Sequence, residues 1–413
     1  MTDTPRTFLF LQGPHGSYFA RLGGALAALG HNVHRINLCG GDRWDWPGAA
    51  TNYRGKQSNW PTYFDDFIVD HQVTDVILFG DCRPAHSSAH GMAKLRGLRV
   101  HVLEEGYIRP DFVTLEEGGV NGHSTLPRDP GWFRAEAART RDPVEIAPVP
   151  SSFRRRANET IRHLWATALE RPLFPFYRNH RPLHPFVEAF GWILRVLAAR
   201  GERERSERTV AVVRDLSYFV APLQLNSDYQ IRVHSPFGDM RAALRFIIKS
   251  FAQAAPADKH LLIKRHPLDP GLVPWRRITG ALAKAYGVAG RVHYVSDADI
   301  TDVLSSAAGT VMVNSTVGTL ALNIGIPVAV LGHAIYDLDG VVHRGPLEDF
   351  WADPAPPDTA LWDAVRRVII NRSLIRGSFL SEEGLAMLVT HAIPRLVASA
   401  TPKSEIVRVA HWR

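Results

Sequence analysis

The stretch TFLFLQGPHGSYFARLGGALAALGHNVHRINLC, residues 7–39, decides the class of the fold. It opens on an unbroken apolar run that stops at Gln12-Gly13. From Ser17 the apolar residues fall at helical spacing until Gly30, and HNVHRINLC (31–39) is again rich in strand-forming residues. Strand, helix and strand in this order make a βαβ unit. Apolar runs without alternation belong to strands buried on both faces of a parallel sheet. DVILFGD (75–81) and LRVHVLEEG (98–106) continue the pattern, the latter as the expected last strand of this half. After residue 208 the scheme restarts: TVAVVRD, YFVAPLQ, HLLIKRHP, RVHYVSD, GTVMVNST and IPVAVLG read as strands. Helical stretches are expected near 238–254, 275–287, 297–307 and 316–325, and two late helices near 358–372 and 381–397.

Composition sets the outer bounds. A chain of 413 residues with 45% hydrophobic and 22% charged residues is not disordered, collagen-like or of low complexity. No uncharged apolar run approaches the roughly 18 residues of a spanning helix. The first apolar run is too short for a secretory leader and lacks a small-residue cleavage site. Cys39 and Cys82 are too few for a disulfide framework or a four-ligand zinc site, so a cytoplasmic protein is expected. The formal charge is +7, and residues 151–208, with twelve Arg and six Glu, supply most of the excess. There the arginines alternate with Trp165, Phe174, Phe176, Tyr177, Phe186, Phe190 and Trp192. Such a segment is either a solvated helical linker or a surface that meets lipid phosphates with aromatic rings at headgroup depth. No nucleic-acid-binding module is present, so nucleic acid is not an expected partner.

Ligands of open parallel sheets bind beyond the carboxyl ends of the strands. Here those ends carry Pro14-His15-Gly16, Gly80-Asp81-Cys82-Arg83, Glu104-Glu105-Gly106-Tyr107, Arg265-His266-Pro267 and Asn314-Ser315-Thr316. Two sheets with polar ends facing each other hold two substrates. The expectation is therefore an α/β, GT-B-like chain: two Rossmann-type domains with parallel sheets facing across a cleft, followed by C-terminal helices. The expected divisions are 1–150, a basic aromatic linker 151–208, 209–355, and helices with a tail over 356–413. Neither G-x-x-x-x-G-K-[ST] nor G-x-G-x-x-G occurs. Asn314-Ser315-Thr316-Val317-Gly318-Thr319, between a strand and a helix, is a candidate phosphate cradle, or else a plain helix cap on Ser315 or Thr316. Lys264-Arg265-His266-Pro267 suits an anionic leaving group. Asp228 lies between Gln224 and Gln230, and Glu104 with Glu105 ends a strand of the other half. One carboxylate from each half would serve a retaining glycosyl transfer. No His, Cys or carboxylate set has metal-ligand spacing along the chain, HSSAH (86–90) included, so no metal and no cofactor are expected.

Five segments carry a resemblance: FLQGPHGSYFARLGGALAALGHNV, EEGYIRPDFVTLEEGGVN (104–121), the Q-x-x-x-D-x-Q of Gln224, Asp228 and Gln230, His266-Pro267, and NSTVGTLALNIGIPV (314–328). In this order the chain resembles the bacterial capsule polysaccharide biosynthesis and export proteins that are retaining β-Kdo transferases. It is most similar to the single-module members that place the first Kdo on phosphatidylglycerol. The resemblance implies a CMP-Kdo donor and double displacement with Asp228 as nucleophile. It implies His266 on the CMP phosphate, with Ser315 and Thr316 holding the nucleotide. The acid/base would be Glu104 or Glu105; strand alternation lets only one face the cleft, and Glu104 is preferred. The donor set is then Gln224, Gln230, Lys264, Arg265, His266, Pro267, Asn314, Ser315 and Thr316. His15, Ser17, Asp81, Arg83 and Arg109 would serve the acceptor. The implied partners are a phosphatidylglycerol-type lipid, the inner-membrane surface on its cytoplasmic face, and other capsule assembly or export proteins. The rival expectations are a transferase for another CMP-activated sugar or a glycerophosphate donor, and a non-catalytic export adaptor.

Overall fold

The computed structural model describes residues 5–140, 147–179 and 185–398. Parts of the expected first domain and linker (141–146 and 180–184) and the tail from 399 onward lie outside the described residues. The first half contributes β1 (Thr7–Phe10), β2 (Asn32–Asn37), β3 (Thr51–Asn52), β4 (Asp75–Phe79), β5 (Arg99–Glu105) and β6 (Phe112–Glu117). The second contributes β7 (Ser217–Pro222), β8 (Lys259–Lys264), β9 (Val292–Val295), β10 (Gly309–Met312) and β11 (Val328–Val330), and β12 (Leu374–Arg376) comes last. They form two sheets, in the orders β12-β6-β5-β4-β1-β2-β3 and β11-β10-β7-β8-β9. The second sheet is parallel throughout, and so is the run from β3 to β5. β1 is buried at every position, as a central strand covered on both faces must be. These are the two facing α/β units of the expected GT-B-like architecture.

Two expectations are corrected, and the end of the chain adds a feature that was not anticipated. TVAVVRD is not a strand, because all but its last residue belong to the long helix Pro185–Arg214. Its valines suggest a strand, yet the residues turned inward, Ser206, Val210 and Val213, are spaced four and three apart, the repeat of a helix. β5 is not the last strand of the first sheet, since β6 folds back antiparallel on it, with Glu104 opposite Thr114. Finally, the end of the chain returns to the first unit. β12 pairs antiparallel with β6, and helix Glu382–Val397 packs Leu385, Leu388, Ala392 and Leu396 against Phe8, Phe10, Tyr18 and Phe19.

The basic segment forms two helices, one on each unit. Phe153–Leu169 lies against the first: His163 Nδ1 meets Asp45 Oδ2 at 2.7 Å, and Gly40 approaches so closely that a Cβ there would strike the Ala166 carbonyl. Pro185–Arg214 lies against the second, where Ser296 donates its hydroxyl to Glu202 (2.5 Å) and its N–H to Ser206 Oγ (3.1 Å). A continuous apolar cluster runs beneath them through both sheets.

Candidate active site between the two sheets

The pleat of β5 sends Glu104 and Glu105 to opposite sides. Glu105 meets Arg156 of the bridging helix at 3.0 Å. Glu104 turns toward the second unit and accepts a hydrogen bond from the Asn121 amide. Asn121 has a left-handed backbone (φ 57°), which asparagine tolerates better than most residues, and its N–H donates to the Tyr107 hydroxyl at 2.7 Å. Burial first, then the charges of Asp228 and Asp81, push the Glu104 carboxyl up to about 8; Asn121 and Arg109 only partly offset them. Asp228 caps the short helix Tyr229–Arg232 by accepting from the Gln230 N–H at 2.9 Å. Burial raises its pKa, against the pull of that N–H and of Arg109. Two carboxyl groups, one from each unit, thus share a poorly hydrated space, with the Arg109 guanidinium in the field of both.

The expected donor residues divide by task. Gln224 and Asn314 bond each other twice, Gln224 Nε2 to Asn314 Oδ1 (3.0 Å) and Asn314 N–H to Gln224 Oε1 (3.1 Å). The Asn314 amide also donates to the carbonyls of Gln230 (2.8 Å) and His234 (3.1 Å). These two side chains therefore frame the Asp228 loop. His266 accepts from the Leu268 N–H at 3.0 Å, and burial beside Lys264 pushes its imidazole down to about 4. Arg109 is among the charges that lower it, so the His266 loop faces the same space as the carboxylates. Lys264 is buried, and its pKa is lowered by that burial. Arg265 keeps its Nε buried without a hydrogen-bond partner among the described residues. The Pro267 carbonyl accepts from Arg195 of the bridging helix. Ser315 Oγ accepts from the Val317 N–H at 3.2 Å, so the plain-cap role does occur; the side chain of Thr316, the N-cap residue, makes no cap bond.

Among the expected acceptor residues, Asp81 and Arg83 lie at the cleft. Asp81 is buried, accepts from the Val120 N–H (3.2 Å) and pairs with His123 Nδ1 (3.1 Å). The hydrogen bonds of His123 and Cys82 outweigh its burial and hold it near 2. Arg83 donates to Gln12 Oε1 (3.1 Å) and lines a half-open cleft with Tyr53, Trp60, Phe176, Tyr177 and Arg178. His15 and Ser17 are engaged by neighbouring helices of the first unit. His15 bonds Thr160 (3.1 Å) and stacks on His163 with ring centroids 4.2 Å apart, while Ser17 accepts from Arg21 (3.1 Å).

Several residues here were not singled out from sequence. Asn121 lies inside the quoted 104–121 segment, and its signal was the Gly118-Gly119 turn that precedes it. Spacing along the chain also gave no hint that Asp81, Cys82, His123 and His234 converge, their ligand-type atoms all within 4.8 Å of one another. Cys39, Asp42 and His163 form a second such group.

The family model described as capsule polysaccharide biosynthesis protein matches residues 74–380. The chain is 34% identical to the capsule polysaccharide export protein KpsS of Escherichia coli, over 91% of this chain and 97% of that protein. It is 33% identical to the capsule polysaccharide modification protein LipB of Neisseria meningitidis serogroup A, over 92% and 93%. Among solved structures, KpsC of Thermosulfurimonas dismutans, a β-Kdo 2,7 transferase, aligns with 95% of this chain and 100% of that one, at 14% identity and a TM-score of 0.46.

Proposed function

This chain belongs to the capsule polysaccharide biosynthesis protein family, and from that premise we propose that it is a retaining β-Kdo glycosyltransferase. It moves Kdo from CMP-Kdo to a phosphatidylglycerol or lysophosphatidylglycerol acceptor. The observation that carries this reading is the pair Glu104 and Asp228, carboxyl groups from opposite units on one cleft, Asp228 made harder to ionise by burial and Glu104 by burial and by the charge of Asp228.

The reaction follows from that coupling. Asp228 attacks the anomeric carbon of Kdo as the bond to the CMP phosphate oxygen breaks, and the electron pair leaves on the phosphate. His266, Lys264 and Arg265 meet that charge, with Ser315 and Thr316 on the nucleotide. A nucleotide phosphate departs without a proton, so this step makes no demand on an acid. Kdo carries its own carboxylate beside the anomeric carbon, and Arg109, in the field of both enzyme carboxyls, offsets the repulsion. Once Asp228 is esterified its charge is gone, and with it one of the causes that keep Glu104 protonated. Glu104 then ionises, releasing its proton to solvent, and takes the acceptor hydroxyl proton while the acceptor oxygen displaces Asp228 as carboxylate. Two inversions retain the β configuration.

The bridging helices supply the lipid side. Ile161, Trp165 and Leu169 stand exposed four residues apart on one helix, Val196 and Leu197 on the other, and Arg154, Arg162 and Arg200 lie nearby in the sequence. Apolar side chains with arginines around them fit an anionic membrane surface, on the cytoplasmic face of the inner membrane. Among the described residues no helix is long and apolar enough to cross a membrane. The Arg83–Arg178 cleft, walled by Trp60 and Phe176, is the place for the headgroup. Incubation with CMP-Kdo and phosphatidylglycerol vesicles, followed by mass and anomeric analysis of the lipid, tests the reading. The expected product is lipid plus one β-Kdo with CMP released. No release from CMP-Kdo, or release from another CMP-sugar instead, overturns it.

A further inference from the structure

We infer that Asp81, Cys82, His123 and His234 bind a transition-metal ion of the zinc type that ties the two units together beside the catalytic cleft. The ligand set spans the interface. Asp81 and Cys82 follow β4, His123 lies in the turn after β6, and His234 comes from the second unit, held there by Asn314 and by the His333 N–H on its carbonyl. Cys82 Sγ is 3.3 Å from His234 Nε2 and 3.2 Å from Asp81 Oδ1, and His123 Nδ1 is 3.1 Å from Asp81 Oδ2. The two imidazoles lie edge to face, centroids 4.7 Å apart. Tetrahedral zinc with ordinary bond lengths separates its ligand atoms by about 3.3–3.6 Å; these three contacts already lie near that range, and the remaining ligand atoms, all within 4.8 Å of one another, would draw closer around an ion.

The chemistry of the donors selects the metal. One thiolate, two imidazoles and one carboxylate favour a borderline-soft ion over magnesium or calcium. Cys82 must give up its thiol proton to serve as a ligand. Metal binding forms the metal–sulfur bond and releases that proton to solvent. The four-ligand site is then neutral: two positive charges against one thiolate and one carboxylate. The backbone is shaped for this contact, since a Cβ on Gly122 would stand 2.5 Å from His234 Nδ1. Four protein ligands make it a closed, structural site rather than one that activates water. The second group is different: Asp42 is paired to Arg35, and His163 is held as a cation on Asp45.

Full-length protein purified without chelator should carry one zinc per chain by mass spectrometry of the metal. Replacement by cobalt(II) should give a tetrahedral spectrum with a thiolate charge-transfer band. That band should vanish in Cys82→Ser and persist in Cys39→Ser, and zinc should raise the melting temperature of wild type but not of Cys82→Ser. Should Cys82→Ser not fold, X-ray absorption on wild type decides, with one sulfur and two imidazoles expected. Folded wild type that takes up neither zinc nor cobalt overturns the inference, as does a band that follows Cys39 or a coordination sphere without sulfur. Activity is not the readout, so this outcome and the transferase assignment stand or fall separately.

Discussion

Two groups of cysteine, aspartate and histidine lie at strand ends of the first unit, one completed by His163 and the other by His234 of the second unit, and their surroundings differ in charge balance. In the Cys39 group every buried charge has a counter-charge: Arg35 with Asp42 at 3.4 Å, and His163 with Asp45 at 2.7 Å. Burial alone would discharge His163, but its bonds to Asp45 and Cys39 hold it near 10. In the cleft, burial wins at His234, which falls to about 4, and at Glu104, which rises to about 8, although hydrogen bonds hold Asp81 low. Among the described residues neither Glu104 nor Asp228 has an ion pair. A network that balances itself serves to dock a helix, here Phe153–Leu169. One left unbalanced can react to the charge of an incoming group.

The contrast is most easily broken at Asp228. Asp228→Asn keeps the cap shape but cannot form the glycosyl ester, so CMP release from CMP-Kdo should fall on the order of 10³-fold or more, with an unchanged melting temperature. A fully active Asn variant would show the cleft charge to be idle. Glu104→Gln should cost roughly 10²- to 10⁴-fold in transfer, the usual range for a lost proton acceptor. Because Glu104 is raised to about 8, the wild-type acceptor step should accelerate as pH rises through neutrality. Its midpoint should lie below 8, since esterified Asp228 no longer repels; Glu104→Gln should flatten the profile. A rate that declines over the same range contradicts the base assignment.

Asp42→Asn sharpens the other side. It strands Arg35 in the interior and should cost about 3 kcal/mol in denaturant unfolding, while turnover per folded molecule stays within about twofold. Loss of turnover without loss of stability would mean that the two groups do not differ as described. The smallest effect is expected at the bridging helices. Trp165→Ser with Leu197→Ser removes two exposed apolar side chains, each worth up to about 1.5–3 kcal/mol if fully buried. Binding to phosphatidylglycerol vesicles should weaken roughly tenfold, and transfer to a soluble acceptor should not change. Equal sedimentation of variant and wild type removes the membrane role from these residues. Arg155 and Arg156 are poorer probes, because their pairs with Glu382 and Glu105 also fasten the helix to the first unit.

What the sequence made legible was local. The runs 7–13, 218–224 and 260–267 became strands because their apolar residues are continuous, and Met240–Ala254 became a helix because Ala243, Leu244, Ile247, Ile248 and Phe251 repeat on one face. TVAVVRD misled because three valines weigh toward a strand, while the helix that contains it is fixed by contacts of Glu202 and Ser206 with Ser296, far along the chain. The choice of Glu104 over Glu105 was readable from strand alternation, and the side chains do point apart. That His123 and His234 would meet Cys82 was not readable, because their approach depends on how one unit docks on the other. Asn121 and Gly122 position that approach by backbone shape, which residue type only hints at.

β12 lays Arg376 beside Phe112, and helix Glu382–Val397 covers β1. The first unit is therefore not a segment that a cut within residues 151–208 could release intact. On a ribosome, β6 remains an unprotected edge until the second unit has been synthesised. Its last ladder closes across one of the longest loops in the chain, an entropic cost met only at the end. Folding of the first unit is in this way made conditional on completion of the second, and a chain stopped before Leu374 would carry an exposed edge strand and an uncovered apolar face into the cell.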